Sequence, residues 1–242
     1  EPYRPGKLRE MSFANVISMV KEYRSLYGFY SDDLVGDYKR TIERLQKEQR
    51  EAIEQLFSSF GNVLYSELHD FLNHGHEWIA AYDESLASVH GLDFTDLICG
   101  VHRLFQDPVV RESWRSRYSY ISVDEMQDTG VLEYKVLEML WEGNYVLLCG
   151  DYFQTIYEWR GSDPFRLLKQ FDADFKPLKI IFYENYRSNW TLFTMAFKTL
   201  QNMFPDLVGS IYTELPRANS ESKGKPVLIK GCKNSYLEGR YI

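Results

Sequence analysis

No run of about 18 uncharged apolar residues occurs in the 242-residue chain, which excludes an ordinary membrane-crossing helix. The opening EPYRPGKLRE holds no apolar stretch, so no secretory leader is expected. Cysteine is scarce: Cys99, Cys149 and Cys232 are odd in number and far apart. That pattern argues against a disulfide framework and against a zinc site, and for a reducing, cytoplasmic compartment. The phosphate-cradling pattern G-x-x-x-x-G-K-[ST] is also missing; Gly224-Lys225 is followed by Pro226, with no glycine at the required upstream position. No internal repeat is visible.

What is present suffices for one or two globular domains at about 100–200 residues each. Hydrophobic residues make up 44% and charged residues 26%, so a sizeable core is available and disorder is not expected. The net charge of −7 alone speaks against a nucleic-acid binder, but it is unevenly spread. Residues 176–242 carry ten Lys and Arg against five Asp and Glu, whereas residues 91–175 carry eight against fifteen. The basic C-terminal third could meet phosphate. A solvated basic surface explains the charge equally well.

Residues 10–89 read as helical. Phe13, Val16, Ile17 and Val20 recur at the three- and four-residue spacing of one helix face. After His90 the pattern changes. Asp93 is a plausible N-cap for a helix beginning LDFTDLI. Tyr118–Val123, Tyr145–Cys149 and Leu178–Phe182 are short apolar runs separated by helix-period segments, and Pro226–Ile229 could be a fourth strand. Trp190–Phe204 is helical, and Asn219–Gly224 is polar and small enough for a loop. Alternating apolar strands and helices predict parallel strands covered on both faces. Ligands of such sheets sit beyond the carboxyl ends of the strands.

Two of the runs end in acidic residues at those positions: Asp124-Glu125 and Gly150-Asp151. A carboxylate there can hold a hydrated magnesium ion, which prefers one or two carboxylates plus waters and substrate phosphates. Its neighbour can orient an attacking water. By spacing alone, a solvated acidic turn fits as well.

The wider context is more specific. VDEMQDT (123–129), GDYFQTIYEWRG (150–161) and NYRS (185–188) follow one another in order, with LDFTDLI (92–98) upstream. This series resembles the UvrD/Rep family of superfamily-1 DNA helicases, whose corresponding motifs read roughly VDEFQDT, GDxxQSIYxWRGA and NYRS, with an upstream LDFDDLL. The resemblance is clear from about residue 81 to 190 and weaker over the first 80 residues.

The resemblance implies a fold and a set of roles. The fold is α/β: a partial RecA-like, P-loop NTPase-type parallel sheet with an N-terminal all-helical subdomain. Residues 1–90 would be the helical 1B-like subdomain, 91–176 the rear half of the first RecA-like domain, and 177–242 the start of the second. Asp124 would bind the Mg2+ of MgATP, and Glu125 would orient the hydrolytic water. Gln127 and Asp128 would form the network behind them. Gln154 would sense the γ-phosphate and link it to the DNA site. Tyr157, Trp159 and Arg160 lie in the segment that touches single-stranded DNA, with Trp159 as the stacking platform. Tyr186 would stack on adenine, and Arg187 would act as an arginine finger.

The departures are local. Tyr152-Phe153 replaces a usually polar or acidic pair, Glu158 stands where a small or basic residue is common, and Ser162 where alanine is usual. The family places its P-loop ahead of the helical insertion, and a second ATP-contacting arginine beyond the last residue here. The expectation is therefore part of an ATP-dependent 3′-to-5′ helicase that acts on single-stranded and duplex DNA. Its missing motifs would be supplied by the same parent chain or by a partner, and the isolated chain is expected to be inactive. The alternatives are a non-catalytic helicase-like module that binds DNA or protein, and one half of a split helicase.

Overall fold

The computed structural model describes residues 5–50, 53, 65–155, 164–212, 214 and 216–220. The chain divides into two compact units, Glu1–Phe175 and Lys176–Ile242.

The first unit begins with three helices: α1 (Pro5–Tyr27), α2 (Leu34–Glu48) and α3 (Tyr65–Ser88). Three of the four periodic apolar positions meet in a core as expected; Phe13 is exposed instead, its ring against Trp78. Val16, Ile17 and Val20 of α1 pack with Tyr38, Ile42 and Leu45 of α2 and with Phe71, Ile79 and Ala80 of α3. Asp33 caps α2 by accepting the Gly36 N–H at 2.9 Å, satisfying one of the four donors a helix start leaves open. Asp37 is wholly buried in the first turn of that helix. Burial works against its charge, but the backbone and hydroxyl of Ser31 and the guanidinium of Arg40 outweigh it. Its carboxyl is held below the ordinary aspartate range.

The helix α4 (Phe94–Leu104) follows, and Asp93 does cap it: Asp93 accepts the Asp96 N–H at 2.8 Å while Asp96 accepts the Asp93 N–H at 3.0 Å. The α1–α4 contact includes a polar series. Thr95 bonds Ser18 at 3.0 Å, and Ser25 bonds His102 at 2.9 Å. Between them Lys21, 4% exposed, meets Asp83, Asp93 and Asp96 at 2.9, 2.8 and 2.6 Å. This cluster ties residues on both sides of residue 90. Burial alone would lower the Lys21 pKa, but bonds to the three carboxylates raise it overall.

A short helix α5 (Pro108–Arg115), capped by Asp107 with proline in its first turn, leads to β1 (Tyr120–Val123). The helix α6 (Val131–Trp141) crosses over to β2 (Tyr145–Leu148), which pairs parallel with β1, Tyr120 opposite Tyr145. Gly143 (φ +80°) supplies the left-handed turn between them, and Asn144 donates to the Leu140 carbonyl at 2.8 Å to close the helix end. Ile121, Val123, Val146 and Leu148 pack on a core of Met126, Tyr134, Trp141, Leu167 and Phe171, the last two from α7 (Pro164–Phe175). Trp141 sits edge-on to both Tyr134 and Phe171.

The expectation of a sheet covered on both faces is corrected here. Residues on the opposite face of β1 and β2 are exposed: Tyr120 and Tyr145 stack at 5.1 Å in solvent beside Leu147. The helices α6 and α7 both supply the same core, so they cover one face only. Cys149, just past β2, is half-buried.

The second unit corrects the third predicted strand. Residues 176–183 form no strand, and Leu178, Ile180 and Phe182 are exposed. The strand starts later, as β3 (Glu184–Asn189), and pairs parallel with β4 (Arg217–Ser220) across an irregularity between Asn185 and Asn189. Asn219 and Ser220, read as loop, belong to β4. Asn189 caps α8 (Trp190–Met203) by accepting the Leu192 N–H at 3.0 Å, and α9 (Pro205–Ile211) follows. The possible strand Pro226–Ile229 lies outside the described residues. No helix among the described residues is long and apolar enough to cross a membrane.

Candidate functional site

At the carboxyl end of β1 the chain turns sharply. Glu125 has φ +52° and ψ +41°, the left-handed region that a side chain with Cβ rarely enters. It opens a 3₁₀ turn at Met126–Asp128, and the Met126 N–H donates to the Cys149 carbonyl at 2.9 Å. The Cys149 N–H in turn donates to Val123 at 2.8 Å. These bonds carry the β1–β2 ladder one step past both strand ends and fix the two following loops against each other. At the end of β2, Asp151 caps a second 3₁₀ turn, Tyr152–Gln154, by accepting the Phe153 N–H at 2.9 Å.

The two turns are joined by side chains. Gln127, 2% exposed, donates its Nε2 to Glu125 Oε2 at 2.6 Å and accepts the Asp151 N–H on its Oε1 at 3.0 Å. Gln154 donates its Nε2 to Asp151 Oδ2 at 2.8 Å. A continuous path of hydrogen bonds therefore runs Glu125–Gln127–Asp151–Gln154. Gly150 makes room for it, because a Cβ there would stand 2.6 Å from Gln127 Oε1. Asp124 and Glu125 are exposed, and Asp124 Oδ1 accepts the Glu125 N–H at 2.9 Å. Behind them, Asp128 Oδ1 is a buried oxygen with no hydrogen-bond partner among the described residues.

Asp124, Glu125 and Gln154 thus lie together in one surface region of the first unit. Tyr186 and Arg187 lie on β3 of the second unit, both exposed. Tyr186 donates to Glu184 Oε2 at 2.7 Å, and Glu184 Oε1 pairs with Arg217 of β4 at 2.9 Å. Asn185 accepts the N–H groups of Arg187 and Ser188 at 3.1 and 2.7 Å, which shapes the strand irregularity at the motif. Tyr157, Trp159 and Arg160 fall outside the described residues.

Sequence reasoning gave roles to Glu125, Gln127 and Gln154 and noted Asp151 as a strand-end carboxylate, but it did not join Asp151 to the path or give Asn185 a role. Asp151 terminates an apolar strand, as Asp124 does, but its bonds to Gln127 and Gln154 depend on the pairing of β1 with β2 and on the turn that follows. For Asn185 the cue was an Asn two and three residues ahead of the N–H groups it caps. No group of three or more His, Cys, Asp or Glu suited to a metal occurs among the described residues. A magnesium ion bound partly by water and phosphate needs fewer protein ligands.

Comparison with known proteins agrees with the motif series. The chain is 32% identical over 163 residues to a probable DNA helicase II homolog of Mycoplasma capricolum, covering 66% of this chain and 22% of that protein. It is 32% identical over 171 residues to DNA helicase II of Haemophilus influenzae, covering 69% and 23%. It is 37% identical over 127 residues to the ATP-dependent DNA helicase PcrA of Staphylococcus aureus, covering 51% and 17%. These matches span about a fifth of the relatives' length. The profile of the UvrD/REP helicase N-terminal domain matches residues 10–176, which carry the candidate carboxylates and both 3₁₀ turns, and the chain belongs to that family.

Proposed function

We propose that this chain is part of an ATP-dependent DNA helicase, contributing the water-orienting half of its ATPase site. The observation that carries this reading is the path from Glu125 through Gln127 and Asp151 to Gln154, built where two parallel strands end. In this reading Asp124 holds the magnesium ion of MgATP, and Glu125, steadied by Gln127, orients the water. Gln154 senses the γ-phosphate, Tyr186 stacks on adenine, and Arg187 counters developing charge. Tyr157, Trp159 and Arg160 contact single-stranded DNA by stacking and charge.

The residues present fit such an ion. Aspartate oxygens are the hard donors magnesium takes, and Asp128 Oδ1 is a buried acceptor without a partner among the described residues. Bound magnesium would supply charge neutralisation on the phosphates. The helical residues 1–90 serve as the 1B-type subdomain, 91–176 and 177–242 as parts of two RecA-like domains, and the work is 3′-to-5′ unwinding in the cytoplasm. The chain alone lacks the P-loop sequence and is proposed to be inactive by itself.

The test is Glu125→Gln in the full-length protein carrying this segment. DNA-stimulated ATP hydrolysis should fall by about a hundredfold or more, the usual effect of losing a positioned base. Undiminished turnover would overturn the assignment. Titration of the 242-residue chain with a fluorescent ATP analogue and magnesium should show weak binding at most; tight binding lost in Arg187→Ala would favour a self-contained nucleotide-sensing module.

A further inference from the structure

The two strand-end loops meet at Asp151, and the chemistry of its atoms dictates how both glutamines are turned. Its backbone N–H can only donate, so Gln127 must present Oε1 to it, which leaves Nε2 for the Glu125 carboxylate. The Asp151 carboxylate can only accept. One oxygen takes the Phe153 N–H and the other takes Nε2 of Gln154. Flipping either amide would set donor against donor or acceptor against acceptor.

Capping the turn needs one of those oxygens. The second restrains Gln154, an exposed side chain with much rotamer freedom to lose. A cap with a purely structural duty would leave Gln154 to solvent. Resting on the proposed function, we propose that Asp151 is a positioning residue. It holds Gln127 in one polarity through its backbone N–H and Gln154 in one polarity through its carboxylate, so that the Gln127 bound to Glu125 and the side chain of Gln154 are both set from one residue.

Asp151→Asn separates the two duties. The asparagine Oδ1 still accepts the Phe153 N–H, while its NH2 faces the NH2 of Gln154. Asp151→Ser is the second variant; its hydroxyl can cap the turn and is too short to reach Gln154. Two readouts are required. In the 242-residue chain, nuclear magnetic resonance of the side-chain amides should show the Gln154 protons moving upfield and exchanging faster in both variants. The Gln127 protons, bonded to Glu125 on an amide whose Oε1 accepts the backbone N–H of residue 151, should stay in place. In the full-length protein, kcat for DNA-stimulated ATP hydrolysis should fall roughly tenfold to a hundredfold with KM for ATP unchanged. Asp151→Asn combined with Gln154→Ala should be no slower than Gln154→Ala alone.

Unchanged Gln154 amide signals, an undiminished kcat, or losses that multiply in the double variant would each overturn the proposal. Glu125→Gln is the control. Full turnover in that variant overturns the functional reading and the positioning role together. Loss there with wild-type kcat in Asp151→Asn overturns the positioning role alone.

Discussion

Gly150 and Gln127 are in such close approach that a single methyl group cannot be placed between them. A Cβ on residue 150 would lie 2.6 Å from Gln127 Oε1 and 3.2 Å from the Met126 N–H. Gln127 has nowhere to go, since it is buried and both ends of its amide are engaged. The G-D pair that ends β2 therefore has a division of labour. The glycine admits the glutamine, and the aspartate orients it.

Gly150→Ala should accordingly cost about 1–3 kcal/mol in urea unfolding of the chain, the usual penalty for overpacking a tight contact. In the full-length protein the same change should lower kcat more than it raises KM for ATP, because it displaces the bonded path rather than the nucleotide's own contacts. An alanine variant with wild-type stability would mean that the two loops are not held together as tightly as the geometry states.

A second prediction concerns Lys21. Its ammonium pairs with Asp83, Asp93 and Asp96 together, with Tyr38 and Tyr82 donating to two of the same carboxylates. Lys21→Met keeps the length and removes the charge, leaving three carboxylates facing one another in a half-buried site. The loss should be about 3–5 kcal/mol at neutral pH, as for a buried pair stripped of one partner. The sign with pH follows from the raised folded-state pKa. The stability Lys21 contributes is complete below the unfolded lysine pKa of about 10.4 and is lost only as pH rises through the higher folded value. Equal stability of the two proteins at pH 7 by urea titration would show that the cluster is energetically neutral.

Much of this structure is legible in the sequence, for identifiable reasons. The helices α1 to α3 declare themselves through apolar residues at helical spacing, and α4 through a side-chain cap at Asp93 that is local in sequence. The strands β1 and β2 are short and apolar and end in Asp124 and Gly150-Asp151, which is enough to place the carboxylates side by side. What failed was non-local. Leu178–Phe182 has the composition of a strand, yet the paired strand is the polar Glu184–Asn189, whose partner β4 lies beyond two helices. Strand composition reports a fit to a half-buried surface, and here the apolar run lies exposed. The path through Gln127 and Asp151 was likewise only half visible. Its members are 24 residues apart, and only the parallel pairing of β1 and β2 brings them together.

The last prediction is a pH effect in the first unit, away from the candidate site. His102 of α4 is 7% exposed, and burial lowers its pKa below the ordinary value. Its partners are compatible with the neutral ring. Nδ1 lies 2.9 Å from the hydroxyl of Ser25, which also accepts from Tyr30, while Nε2 lies 3.3 Å from the Gln106 amide nitrogen. A neutral ring protonated on Nδ1 donates to Ser25 and accepts from Gln106; a charged ring would put two donors face to face at Nε2. Because the folded state binds this proton less readily than the unfolded state, stability should fall as pH drops below the unfolded histidine value of about 6.5. The loss should level off below the folded pKa. His102→Gln, which is uncharged at every pH and can still bond Ser25, should flatten the urea-unfolding profile between pH 5 and 7 while leaving the plateau above pH 7 within about 1 kcal/mol of wild type, the size of one hydrogen bond. An identical pH profile in the two proteins would show that the α1–α4 contact tolerates the imidazolium, and that the polar series along these helices is not selective for the neutral ring.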